Sequence, residues 1–269
     1  MPSPSPSPSP SPSAPRRPPR PRRPSPPASR LEQAAFDHAR HATADYLRRH
    51  PALRPAQRHQ VVQWFQATLR FDDLHLVTLA YAVAYLDRFL SATTDVPPEV
   101  LVAASAACLM LAVKQEESCV MTASMCAERA VLAFGWHVAP SAAQVLAKES
   151  ELLQLFQWRT HICTSYHFLE MYAAVAGAAI APSAAALLEQ SFLHYELAAC
   201  APALVAAAVL AADGTVAVDA AVTGYDLAAL AECMGVLRGQ RATESGRPAC
   251  HRISFKIRGG VQKRTAGMR

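Results

Sequence analysis

Ala84-Tyr85-Leu86-Asp87-Arg88-Phe89-Leu90-Ser91 and Leu111-Ala112-Val113-Lys114-Gln115-Glu116-Glu117 close two apolar runs that together span Leu74 to Glu117. In the first run Leu74, Leu76, Val77, Leu79, Val83, Leu86 and Phe89 fall around the whole circumference of a helix. A helix apolar on every side is buried in a core or in a membrane. Thr78, Tyr81, Tyr85, Asp87 and Arg88 interrupt this run too often for a bilayer span, which needs about 20 mostly apolar residues. The stretch therefore predicts the central helix of a soluble helical domain, with an Asp-Arg pair near its buried end.

Working outward, the 269 residues have room for one large domain or two smaller ones. Hydrophobic residues make up 51% of the chain, much of that alanine, and strand-like runs are scarce, which favours an all-α architecture. The net charge of +5 does not describe the body of the protein. Residues 1–30 and 247–269 carry 13 Lys/Arg and no acid, which leaves 13 basic and 21 acidic residues in between. The body is acidic and the basicity sits at the two ends. Basic ends suit nucleic-acid contact or a nuclear import signal, and equally a solvated tail.

Thirteen of the 21 prolines lie in residues 1–29, where Ser-Pro repeats run from Ser3 to Pro12 ahead of an Arg/Pro segment. Such composition predicts disorder with polyproline character, and each Ser-Pro is a candidate for a proline-directed kinase. The start has no apolar core of a secretory signal. Seven cysteines are scattered without a Cys-x-x-Cys pair, which points to reduced thiols in an intracellular protein. The ten histidines show no ligand spacing, so no metal site is expected.

Along the chain, an amphipathic helix is expected over 31–49, broken by Pro51 and Pro55. The next runs from Pro55 to about Phe71, followed by 74–91, a helix from about Pro98 to Glu117, and helices at 122–134 and 141–157. A second set is expected at 164–177, 183–199, 202–212 and 226–238, with a short turn near 218–222. Gly177, Pro182, Pro202, Gly214 and Gly224 supply the breaks. Ile253–Ile257 is the one short strand-like run.

These elements resemble the cyclin family. Tyr85 to Ser91 is similar to the Tyr-Leu-Asp-Arg-Phe-Leu element of the cyclin box. Ala106-Ala107-Cys108-Leu109 leads into Lys114-Gln115-Glu116-Glu117 as the family's Ala-Cys-Leu…Ser-Lys-Tyr-Glu-Glu does. Gln57 to Trp64 resembles the upstream Met-Arg-Ala-Ile-Leu-Val-Asp-Trp motif, while Glu149, Gln157-Trp158 and Tyr166-His167-Phe168-Leu169 have counterparts downstream. His194-Tyr195-Glu196, Pro202 to Ala206 and Thr223-Gly224-Tyr225 continue the match into a second box, so the ordered set spans roughly 31–240. The resemblance implies an all-α fold of two tandem five-helix cyclin boxes. A disordered basic tail would occupy 1–30, the N-terminal box with its leading helix 31–162, the C-terminal box 163–240 and a basic tail 241–269.

A family member of this kind is a regulatory subunit and not an enzyme. It binds a cyclin-dependent Ser/Thr protein kinase and shifts it toward the active state. By resemblance, Lys114 and Glu149 are polar anchors to the kinase, with Glu117, Leu153 and Trp158 in or beside the contact. The resemblance also pairs Arg58 with Asp87 as an internal salt bridge. The substrate-docking patch of the family reads here as Gln57, Gln60, Val61 and Trp64. Its polar Gln60 puts recruitment of Arg-x-Leu substrates in doubt, and Gln115 replaces the aromatic after the lysine. No Arg-x-x-Leu destruction signal occurs in the N-terminal tail.

Kinase substrates and inhibitors are further candidate partners, with residence in the nucleus, the cytoplasm or both. No cofactor, small-molecule substrate or membrane is expected. A nucleic-acid-binding cyclin-fold protein would want a basic body, and an enzyme would want a converging nucleophile and base or a metal set. A diverged scaffold or transcription-related relative that activates no kinase stays open. The second-box pattern leans toward the mitotic A/B group, while Gln157-Trp158-Arg159-Thr160-His161 looks more like plant D-type sequences.

Overall fold

The computed structural model describes residues 46–134, 140–214 and 220–246, and every regular element among them is helical. The tail over 1–30, most of the leading helix over 31–49 and the Ile253–Ile257 run lie outside these residues. The one described part of the leading segment, Tyr46–Arg49, is a 3-10 turn and not the end of an α-helix. Beyond it come α1 (Pro55–Phe71), α2 (Leu76–Ala92), α3 (Pro98–Glu116), α4 (Ala123–Phe134) and α5 (Ala142–Leu155). The second set is α6 (Ser165–Val175), α7 (Pro182–Ser191), α8 (Tyr195–Ala198), α9 (Pro202–Asp213), α10 (Ala220–Thr223) and α11 (Leu227–Gly246).

The two sets enclose two cores. The first joins α1 to α5 and includes Val61, Val62, Phe65, Tyr81, Tyr85, Leu86, Leu90 and Phe156. The second joins Phe168, Leu169, Tyr172, Leu188, Val209, Leu230 and Leu237. Leu76 and Phe192 pack against both. α3 is the central rod of the first set, with every residue from Leu101 to Val113 buried. It is long and apolar enough to cross a membrane, yet 72% of its apolar window is buried among α2, α4 and α5. Ala103, Ala104, Ser105, Ala106 and Ala107 keep its middle narrow, so neighbouring helices approach its backbone closely.

Proline starts α1, α3, α7 and α9, where its fixed φ fits and its missing N–H is not needed. The ends follow a second rule. After α1, Asp73 takes a left-handed φ of 53° and the Leu74 N–H bonds Leu69 O at 2.9 Å. Leu74 and Leu69 both pack on the first core, completing a Schellman stop in which aspartate stands for the usual glycine. Leu74 therefore belongs to the turn, and the helix expected from 74 starts at Leu76. The same closure ends α5 at Gln157 and α6 at Gly177.

The helix expected over 183–199 divides into α7 and α8 around Phe192-Leu193-His194. The cause lies in the other half of the molecule. Gln66 Nε2 donates to Glu189 O at 2.8 Å, Arg58 Nη1 to Phe192 O at 2.9 Å, and His59 Nδ1 lies 3.3 Å from Leu193 O. These carbonyls at and beyond the end of α7 are satisfied by side chains of α1, so continuing the helix offers no advantage.

The small-residue belt of α3 gives a direct test. Ala104, fully buried, has no room for three more carbons, so Ala104→Leu should destabilise the protein by about 1–3 kcal/mol. Urea unfolding followed by circular dichroism measures it, and an unchanged midpoint would mean that α3 is not closely packed there.

Candidate functional site

The Tyr85 to Leu90 motif works residue by residue. Tyr85 Oη donates to Thr160 O at 2.8 Å, in the segment that links the two helical sets. Leu86, Phe89 and Leu90 fill the first core. Arg88 donates to Arg159 O at 2.8 Å and stacks its guanidinium 4.4 Å from the Phe156 ring centre. Asp87 takes both ends of Arg58, at 2.8 Å from Nε and 2.7 Å from Nη2.

Around Arg58 the network closes. Its side chain is 2% exposed, against 19% for Asp87. Tyr46 donates its hydroxyl to Asp87 and accepts from Arg58 Nε at 3.0 Å. The fourth contact is Phe192 O, and the Tyr195 ring lies across Tyr46 at 5.1 Å in an edge-on arrangement. Burial alone would lower the pKa of Arg58, but Asp87 and Tyr46 more than offset it and hold the guanidinium above its ordinary value. Burial and the Asp87 carboxylate likewise raise the Tyr46 phenol, which stays protonated as a donor. The cation thus joins the 3-10 turn, α1, α2 and the second helical set. Tyr46 and Phe192 were not legible as its partners, since neither contact leaves a pattern in sequence spacing.

A second polar site faces outward. Lys114, at the end of α3, reaches Glu149 on α5, with Nζ 2.6 Å from Oε1. Lys114 is 47% exposed and Glu149 only 12%, so the lysine is the outer member. Leu153, one turn beyond Glu149 on α5, is half-buried against the first core, while Leu146, one turn before, is 49% exposed. Trp158 stands 71% exposed in a left-handed conformation just after α5. Lys114 and Glu149 therefore touch, and Leu153 shares the α5 face of Glu149.

Glu117 is placed differently from the contact role expected of it. Its side chain is 6% exposed and turned inward across the start of α2. It accepts from the His75 backbone N–H at 2.7 Å, from Thr78 Oγ1, and lies 2.9 Å from His75 Nδ1. A carboxylate on the unsatisfied amides at a helix start is a capping interaction, here supplied by another helix. The expected docking patch is also redistributed. Val61 and Trp64 are core residues at 0% and 3% exposure, and Gln57 caps the Arg54 N–H at 2.7 Å. Of the four, Gln60 is exposed and Gln57 half-buried, so these positions form no apolar surface. Helical periodicity explains the difference, because Val61 and Trp64 lie on the inward stripe of α1 and Gln60 does not.

Among the described residues no group of three or more His, Cys, Asp or Glu could hold a metal ion.

Residues 32–161 match the family model of the cyclin N-terminal domain. That stretch, just under half of the chain, is a cyclin N-terminal domain. Over 137 residues the chain is 31% identical to a protein named G1/S-specific cyclin-E from Caenorhabditis briggsae, covering 51% of this chain and 25% of that relative. The chain thus spans about a quarter of that relative's length. A viral cyclin from herpesvirus saimiri superposes with a TM-score of 0.63 at 15% identity, over 80% of this chain and 96% of the viral one. That likeness carries the fold, in which both helical sets are included. Cyclins are regulatory subunits and not themselves enzymes.

Two measurements probe the internal ties. Arg58→Ala leaves Asp87 without its cation and should cost about 3–5 kcal/mol, lowering Tm enough to disrupt folding and not merely docking. A folded variant with near-normal Tm would contradict the node. Glu117 gives the pH test. Burial opposes its ionisation, but the bonds from Thr78 and His75 outweigh this and set its pKa below the ordinary 4.5. A depressed carboxyl contributes stability above its unfolded pKa and loses it as pH falls through the folded value. Acid titration of Tm below about pH 4.5 should therefore be less steep for Glu117→Gln than for the wild type. Parallel curves would remove Glu117 from the account.

Proposed function

We propose that this cyclin is the regulatory subunit of a cyclin-dependent Ser/Thr protein kinase, which it binds and activates to control cell-cycle progression. The observation that carries the reading is the Lys114–Glu149 pair, set at a partly exposed junction of α3 and α5. The lysine keeps donors to offer, since an ammonium has three and Glu149 takes one. Glu149 keeps acceptor capacity, and Leu146, Leu153 and Trp158 supply apolar surface near the pair's two helices. A polar pair with apolar neighbours is the composition of a protein-binding hot spot, whose charged members set register and whose apolar members are desolvated on docking.

Activation is population shift. The cyclin must bind the kinase state with its mobile helix and activation segment in place more tightly than the inactive one. Two-state arithmetic sets the scale: moving a kinase from 1:99 to 99:1 needs about 10⁴-fold preference. A rigid docking surface serves this, and Arg88, Tyr85 and the Schellman turn at Gln157 hold the end of α5 beside it. Nuclear or cytoplasmic residence follows the kinase. The mitotic assignment rests on the second-box pattern alone.

A second reading, a cyclin-fold scaffold without kinase activation, draws support from the missing apolar docking patch at Gln57, Gln60, Val61 and Trp64. Affinity capture of kinases from a cell extract separates the two. The wild type should recover a kinase active on histone, and Lys114→Ala/Glu149→Ala should recover at least about tenfold less. Equal recovery by both would remove the pair from the interface. No kinase with either would favour the scaffold.

A further inference from the structure

Two thiols of the second helical set meet. Cys200, in the loop ahead of α9, and Cys233, on α11, place their sulfurs 3.6 Å apart, with the Cys233 thiol directed at the Cys200 sulfur. Cys200 is half-buried and also lines a cavity of about 170 Å³ between the two helical sets, together with Arg58, Asp87, Cys163 and His194. Cys233 is 2% exposed. One sulfur can therefore be reached by a small solute while its partner waits behind it.

We propose that Cys200 and Cys233 are a peroxide-oxidisable pair, a reversible disulfide site that ties α11 to the loop before α9. The sulfurs are in van der Waals contact already, so side-chain rotation brings them toward the roughly 2.05 Å of a disulfide. The Cys200 thiolate attacks one oxygen of hydrogen peroxide, the O–O bond breaks, and hydroxide leaves. The product is a sulfenic acid on Cys200. The Cys233 sulfur attacks it, the S–O bond breaks, and water leaves as the S–S bond forms. The two thiol protons end in the two water molecules, so two thiols and one peroxide give one disulfide and two waters.

Local chemistry favours Cys200 as the first to react. A hydrogen bond from Cys233 draws its pKa below that of an ordinary thiol, with burial acting in the opposite direction. Cys108 and Cys126 differ, since both are buried and burial pushes both thiols up. Cys119 is exposed, and Cys163 lines the same cavity, so each serves as an internal comparison. The consequence falls on α11, whose Leu230 and Leu237 complete the second core and whose contact with α9 the bridge would fix.

The test uses the full chain, fully reduced, then exposed to equimolar hydrogen peroxide, alkylated and mapped by mass spectrometry. Cys200 and Cys233 should disappear together from the alkylated pool, appear as one cross-linked peptide, and return after dithiothreitol. The oxidised protein should have the higher Tm. In Cys233→Ser, Cys200 should become reactive to dimedone, the trap for sulfenic acid. A bridge through Cys119 or Cys163, or alkylation of Cys200 unchanged by peroxide, would overturn the proposal. The wild-type peptide map decides even if the variant does not fold.

Discussion

A buried guanidinium has to be matched, and the fold is arranged so that Arg58 is. An ion of that size loses several kcal/mol of hydration when it leaves water, and a single carboxylate does not satisfy all its donors. Asp87 takes two of them, Tyr46 shares one, and Phe192 O takes another from the second helical set. Each partner belongs to a different segment. The position of the 3-10 turn, the tilt of α2 against α1 and the approach of the second set are thereby linked through one cation. An apolar side chain there would have filled the space without specifying which segments meet.

The same logic governs the seam between the helical sets. α7 ends with carbonyls to which no further turn donates, and α1 supplies Gln66, Arg58 and His59 to meet them. Arg70 adds an ion pair to Glu189, and Leu47 N–H bonds Tyr195 Oη at 3.0 Å. The seam therefore mixes polar contacts from the buried Arg58 and Gln66 with apolar ones, where Leu76 and Phe192 touch both cores and Leu193 and Tyr195 pack on the first. Side chains that finish another helix tolerate little displacement, because shifting α7 would strand several partly buried carbonyls at once.

The outward pair behaves differently because water still reaches it. Lys114 and Glu149 sit at the junction of two helices whose inner faces are fixed by Val145, Leu152 and the α3 belt. Exposed ion pairs contribute little to stability, commonly below about 1 kcal/mol. In the proposed kinase contact, their value is in what they present. A pair held by rigid helices keeps its geometry before a partner arrives, which lowers the ordering cost of binding.

The sequence by itself determined the helical class, the order of the helices, the burial of α2 and α3, and the membership of Arg58 and Asp87 in one tie. The first three follow from period and proline placement, which are local signals, and the tie follows from the resemblance to the cyclin family. Tertiary structure alone decided the rest. Glu117 and Glu149 are both acidic residues beside apolar helices, yet one caps α2 and the other meets Lys114, because α2 starts where Glu117 can reach it. Trp64 is hidden and Trp158 exposed, although both are aromatic residues at family positions, since only Trp158 follows a left-handed turn off the end of its helix. The break between α7 and α8 depends on donors more than 120 residues away in the chain. Spacing along a chain encodes which face of a helix is apolar, but the partner of a buried polar group is fixed only when the helices have packed.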